Sequence, residues 1–124
     1  MTERRALEGR RILVVEDEFM IAETLSDILE EAGATVVGPI GWADKALAFL
    51  QSADSALDGA VLDINLHGQD SYPIADALLD HEVRFVFVTG YDGRALEPAY
   101  RDHPRCEKPL QPQAIIAALS PAAE

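Results

Sequence analysis

Glu16, Asp17, Asp63, Thr89 and Lys108 are of the residue types that handle a phosphoryl group, and each stands where an apolar run ends. RILVV (residues 11–15) runs into Glu16 and Asp17, and AVLDIN (60–65) carries Asp63. Phe85 to Val88 runs into Thr89, and a short segment around Cys106 runs into Lys108. At about 4 Å and an effective dielectric of about 20, each pair of carboxylates brought together costs about 4 kcal/mol, so something positive must sit among them. Oxygen-only ligands at a partly open site suit Mg²⁺, which keeps several waters and accepts phosphate oxygen. Zinc is disfavoured because His67, His81 and His103 are scattered without ligand spacing. A carboxylate beside Mg²⁺ can attack phosphorus while the Lys108 ammonium neutralises equatorial oxygens and the Thr89 hydroxyl binds one of them. Gly90 leaves room beside that hydroxyl. The product of such a set is an aspartyl phosphate.

Taken singly, each residue has a plainer reading. The acidic pair suits a helix N-terminus, Asp63 a cap, Thr89 a turn, and Lys108 a solvated charge. Their joint placement at four strand ends favours chemistry, provided the strands lie side by side.

The pattern of the chain predicts that they do. Residues 1–10 read as a loose polar lead-in, 11–120 as one domain and 121–124 as a tail. Arg11 to Val15 is the first strand. Ile21, Leu25, Ile28, Leu29 and Ala32 then mark one face of a helix that Gly33 stops. Thr35 to Val37 is a second strand closed by Gly38 and Pro39. A helix over about 42–51 buries Ala43, Ala46, Leu47 and Leu50, and Ala60 to Asp63 is the third strand. Residues 66–72 read as a surface loop, and Pro73 opens a helix that buries Ile74, Leu78, Ala75 and Leu79. Phe85 to Val88 is the fourth strand. Gly93, Pro98 and Pro104 leave room after it for a short or irregular fourth helix. Residues 105–107 form a brief fifth strand, and Pro112 starts a last helix through Ile115, Ile116 and Leu119. Five alternations of strand and helix imply an α/β fold, a doubly wound parallel sheet with helices on both faces. Its ligand crevice lies beyond the carboxyl ends of the strands, where the reactive groups fall.

Composition agrees with one folded domain: 124 residues, 48% hydrophobic, with a formal charge of −12. That charge argues against a broad basic surface for nucleic acid or anionic membrane. No apolar run approaches the roughly 20 residues of a membrane span. The single cysteine, Cys106, excludes an internal disulfide and fits a reducing compartment, so a cytoplasmic location is expected.

In these residues the chain resembles a response-regulator receiver domain over essentially its whole length, from Glu16-Asp17 through Asp63 and Thr89 to Lys108-Pro109. The resemblance implies a flavodoxin-like sheet of order 2-1-3-4-5. It makes Asp63 the phosphoacceptor, Asp17 a direct Mg²⁺ ligand, Glu16 an acid acting through water and the Asn65 backbone carbonyl a third ligand. Thr89 and Lys108 become the switch hydroxyl and the phosphate-pairing lysine, with a cis Lys108-Pro109 bond. VRFVFVTGYDG (83–93) is similar to the FAT GUY subgroup of single-domain regulators, which implies a sensor histidine kinase of the HWE type or a phosphotransfer protein as partner. Two features depart from the family. Arg105 stands where many receivers carry a switch aromatic, and the fourth helix is compressed, so Tyr91 is the candidate substitute. Phe19 and Met20, next to Asp17, suit a kinase-docking patch or packing on a neighbouring loop, and Trp42 suits an interface.

The expected function is a stand-alone Mg²⁺-dependent phosphoacceptor in a two-component phosphorelay, not a turnover enzyme, that signals through protein contacts or drains phosphate. An aspartate-nucleophile phosphohydrolase uses similar chemistry, but its DxD motif follows the first strand, whereas here DIN follows the third. A binding module that is never phosphorylated is the third reading, against which Asp63, Thr89 and Lys108 stand intact.

Overall fold

The computed structural model describes residues 6–52, 56–89, 97–100, 102–107 and 109–120. Its centre is a five-stranded sheet in which every pairing is parallel. The strands are β1 (Arg11–Val15), β2 (Thr35–Ile40), β3 (Gly59–Asp63), β6 (Phe85–Thr89) and β7 (Arg105–Glu107), in the order β2-β1-β3-β6-β7. Counting only these five, that is the expected order 2-1-3-4-5. The intervening labels belong to a two-stranded antiparallel hairpin, β4 (Asn65–Leu66) and β5 (Gln69–Asp70), in the stretch read as loop.

Every residue of β3 and β6 is buried, as central parallel strands covered on both faces must be. Successive side chains alternate between two cores. Leu13, Val15, Ala60, Leu62, Phe85 and Phe87 pack with α2 (Ala43–Leu50) and α3 (Tyr72–Asp80). Ile12, Val14, Val61, Val86 and Val88 pack with α1 (Phe19–Glu31) and α4 (Pro112–Leu119).

Helix α1 buries Ala22, Leu25, Ile28 and Leu29. It ends as expected at Gly33, whose φ is +98. The Gly33 amide donates to the Glu30 carbonyl and the Ala34 amide to that of Leu29, both at 3.0 Å, satisfying two carbonyls the helix leaves over. Helix α4 buries Ile115 and Leu119. Cys106 is buried in β7, and loss of solvation pushes its thiol pKa up. No helix among the described residues is long and apolar enough to cross a membrane.

Three details differ from the sequence expectations. Strand β2 continues through Gly38 and Pro39 to Ile40, because an edge strand tolerates a residue without an amide hydrogen and the register slips there between Leu13 and Val15. Tyr72 is not a loop residue but the buried first residue of α3. Leu79 lies one position off the stripe of Ile74, Ala75 and Leu78 and is 44% exposed. Between β6 and β7, where a short or irregular fourth helix is expected, the described residues hold a 3-10 turn, Pro98–Tyr100, and residues 90–96 lie outside them.

The lead-in is also more than loose chain. Leu7 is fully buried among Leu25, Leu29 and Ala32, and its amide donates to the Ala32 carbonyl at 2.9 Å. Gly33 passes so close to this segment that a Cβ there would lie 2.8 Å from the Glu8 Cα. Leu7→Ala is therefore expected to lower unfolding free energy in a urea titration by about 2–5 kcal/mol. A change within about 0.5 kcal/mol, typical of a surface position, contradicts the anchoring role.

Candidate functional site

Parallel register brings the acids together. Val15 pairs with Leu62, so the residue after β1 falls beside the last residue of β3. The Glu16 amide donates to the Ile40 carbonyl at 3.0 Å, carrying the β1–β2 alignment one residue further. Glu16, Asp17 and Asp63 each place an oxygen within 4.8 Å of the other two. Glu16 is 3% exposed and Asp63 8%, with Asp17 partly buried.

Backbone amides offset part of the repulsion. Glu16 Oε2 accepts from the Glu18 amide at 3.1 Å, Asp63 Oδ1 from Asn65 at 3.2 Å, and Asp17 Oδ2 from His67 at 3.0 Å. Gly41 closes the site on the β2 side, where a Cβ would meet the Asp17 Cα at 3.3 Å and the Glu16 carbonyl oxygen at 3.5 Å. At the observed spacing each carboxylate pair still repels by about 3–4 kcal/mol at an effective dielectric of about 20. A small hard cation fits this donor set: all oxygen, converging, and open on one side.

Thr89 follows Val88, the register partner of Asp63, so its hydroxyl lies one residue along the neighbouring strand. Thr89 is 3% exposed, and its Oγ has no hydrogen-bond partner among the described residues. A buried hydroxyl in that condition can donate to a group brought into the site. Lys108, Tyr91 and the Lys108-Pro109 bond lie outside the described residues, or depend on one that does. Arg105 is exposed on β7, paired in register with Phe87.

Phe19 and Met20, at the start of α1, are each 75% exposed rather than packed on a neighbouring loop. Sequence reasoning set His67 aside with the other histidines, yet its amide holds Asp17 and its ring stacks on Trp42 at 3.7 Å, 10° from parallel. It also passed over Tyr100, which stacks on Tyr72 at 4.3 Å and donates its hydroxyl to Asp76 at 2.9 Å. Burial and then the Asp76 carboxylate push the Tyr100 phenol up to about 12. No local periodicity signals these contacts, although the aromatic side chains at 42, 72 and 100 were visible.

Comparison with known proteins places this geometry. The solution structure of SdrG from Sphingomonas melonis Fr1 superposes with a TM-score of 0.79 at 39% identity, covering 92% of this chain and 97% of that one. The response-regulator REC domain of PhyR from Erythrobacter litoralis superposes with a TM-score of 0.75 at 25% identity, covering 96% and 99%. The chain belongs to the response-regulator receiver domains. SdrG in its BeF3-activated conformation also superposes, with a TM-score of 0.72 at 38% identity and coverage of 88% and 92%. The phyllosphere-induced regulator PhyR of Methylorubrum extorquens is 33% identical over 121 residues, and this receiver chain spans 42% of its length. No family model matches the sequence.

The crowding of charge in this receiver has a measurable consequence. Asn at position 63 keeps an oxygen for the Asn65 amide and removes the charge. In chelator, Asp63→Asn is expected to raise unfolding free energy by about 1–3 kcal/mol, read by urea titration. A fall in stability would show that the three carboxylates are not held against mutual repulsion.

Proposed function

We propose that this receiver is a Mg²⁺-dependent phosphoacceptor switch with Asp63 as the nucleophile. The observation that carries the reading is the convergence of the Glu16, Asp17 and Asp63 oxygens within 4.8 Å, with Asp63 on the strand that pairs with the one carrying the buried Thr89 hydroxyl. Glu16, Asp17, Asp63 and the Asn65 backbone carbonyl would hold the cation. When bound, Mg²⁺ supplies positive charge to the three carboxylates and to the phosphoryl oxygens.

The chain's own residues do the rest. An Asp63 carboxylate oxygen attacks phosphorus of a phosphohistidine, a P–O bond forms as the P–N bond breaks, and the departing imidazole takes up a proton. Buried Thr89 donates to one phosphoryl oxygen in the acyl phosphate, and Lys108 pairs with another. The donor is a sensor histidine kinase or a phosphotransfer protein. The likeness of residues 83–93 to the FAT GUY subgroup supports an HWE-type kinase, and exposed Phe19 and Met20 beside Asp17 supply apolar surface for docking. That SdrG has a BeF3-activated conformation supports activation by phosphoryl-like ligands in this chain too. Tyr91 and Arg105 are the candidate residues through which the phosphorylated state is felt. Output is by contact with a protein partner, or by draining phosphate from the kinase, in the cytoplasm. The chain catalyses only its own phosphorylation and dephosphorylation.

Asp63→Asn tests the assignment. A phosphorylated kinase should transfer hydroxylamine-labile phosphate to the wild-type chain and none to the variant. Undiminished labelling of the variant overturns Asp63 as acceptor, and repeated turnover of small phosphate esters by the wild type favours a phosphohydrolase.

A further inference from the structure

We propose that Trp42 is a positioning residue for the acidic site. Through its stack on His67 it holds the hairpin of β4 and β5, and with it the Asp17 carboxylate, in the arrangement that receives the cation. This rests on the metal-binding reading above.

The hairpin turns through His67 and Gly68, both at positive φ, +49 and +82. Two-residue turns of this kind favour Asn-Gly or Asp-Gly. Histidine also tolerates the left-handed region, and here both its amide and its ring are engaged. Its amide donates to Asp17 Oδ2 at 3.0 Å, and its ring lies 3.7 Å from that of Trp42 at 10°.

The same hairpin is tied to the site at its other end. The Asn65 amide donates to Asp63 Oδ1 at 3.2 Å, and the Gly68 amide closes the turn onto Asn65 Oδ1 at 2.9 Å. One short loop therefore donates to two of the three carboxylates.

Trp42 reaches this loop from the segment between β2 and α2. It is the extended residue that precedes α2, and its neighbour Gly41 packs directly on the Asp17 backbone. Asp17 thus touches the segment of residue 41 and the turn of residue 67, and the aromatic stack is the clasp between those two segments. Trp42 is 48% exposed, so its ring is not explained by core packing. The hydrogen bonds to Asp17 and Asp63 come from backbone amides, so replacing Trp42 deletes neither donor and acts on them only by loosening the hairpin.

The test compares the wild-type chain with Trp42→Ala and Trp42→Phe. Amide exchange is followed by NMR in chelator, and Mg²⁺ is then titrated into each protein. In Trp42→Ala the His67 and Gly68 amides should exchange faster, and Mg²⁺ should bind more weakly, each by about threefold to tenfold. Amides of β1 and β3 should be unchanged, which shows that the sheet is intact. Trp42→Phe, which keeps a ring over His67, should restore both quantities to within about twofold. Equal exchange in Trp42→Ala and wild type overturns the clasp, as does a Phe variant no better than Ala. Failure of the wild type to bind Mg²⁺ overturns the metal reading and with it this role for Trp42. That outcome is distinguishable, because exchange at His67 still responds to residue 42.

Discussion

Three carboxylates held within 4.8 Å of one another repel, and the fold must be stiff enough to hold them there. Glu16 and Asp17 follow an edge-neighbouring strand, and Asp63 ends the central one. The parallel register between those strands prevents the acids from separating by sliding. Three backbone amides, from Glu18, Asn65 and His67, stabilise one oxygen on each acid. What they leave uncompensated is negative charge that a bound cation would neutralise. A better neutralised cluster would be more stable and less useful, which is the usual conflict between a stable fold and a working site.

The two cores serve that constraint. Because β3 and β6 are buried on both faces, the strand ends carrying Asp63 and Thr89 stand on the densely packed centre of the sheet. The remaining contributors come from connecting segments that need separate fastening. Gly41 packs against the acidic pair just past the end of β2, and the hairpin after β3 is tied down by contacts of Asn65, His67 and Trp42. Away from the acids, Tyr72 and Tyr100 join α3 to the segment before β7, with Asp76 accepting the Tyr100 hydroxyl.

Much of this was legible in the amino-acid order. Apolar runs ending in acid, hydroxyl and ammonium gave the strands and their sequence, and the stripe of Leu25, Ile28 and Leu29 with Gly33 gave α1 and its stop. What escaped was set by single contacts or by distance along the chain. Leu7 is one apolar residue in a polar segment and shows no period. His67-Gly68 lacks the Asn-Gly signal of a tight hairpin, so the turn read as loop. Tyr72 and Tyr100 meet only because the sheet brings α3 and the 3-10 turn together. The roles of Trp42 and His67 depend on a contact between segments that no spacing rule connects.

The account turns on the acidic cluster being a cation-dependent acceptor, and intact-protein mass spectrometry after incubation with acetyl phosphate tests it most directly. With Mg²⁺ present the wild-type chain should gain a single phosphoryl group, which borohydride reduction followed by peptide mapping places on Asp63. In chelator it should gain none. Equal labelling with and without Mg²⁺, or a phosphoryl group mapped to any other residue, contradicts the account.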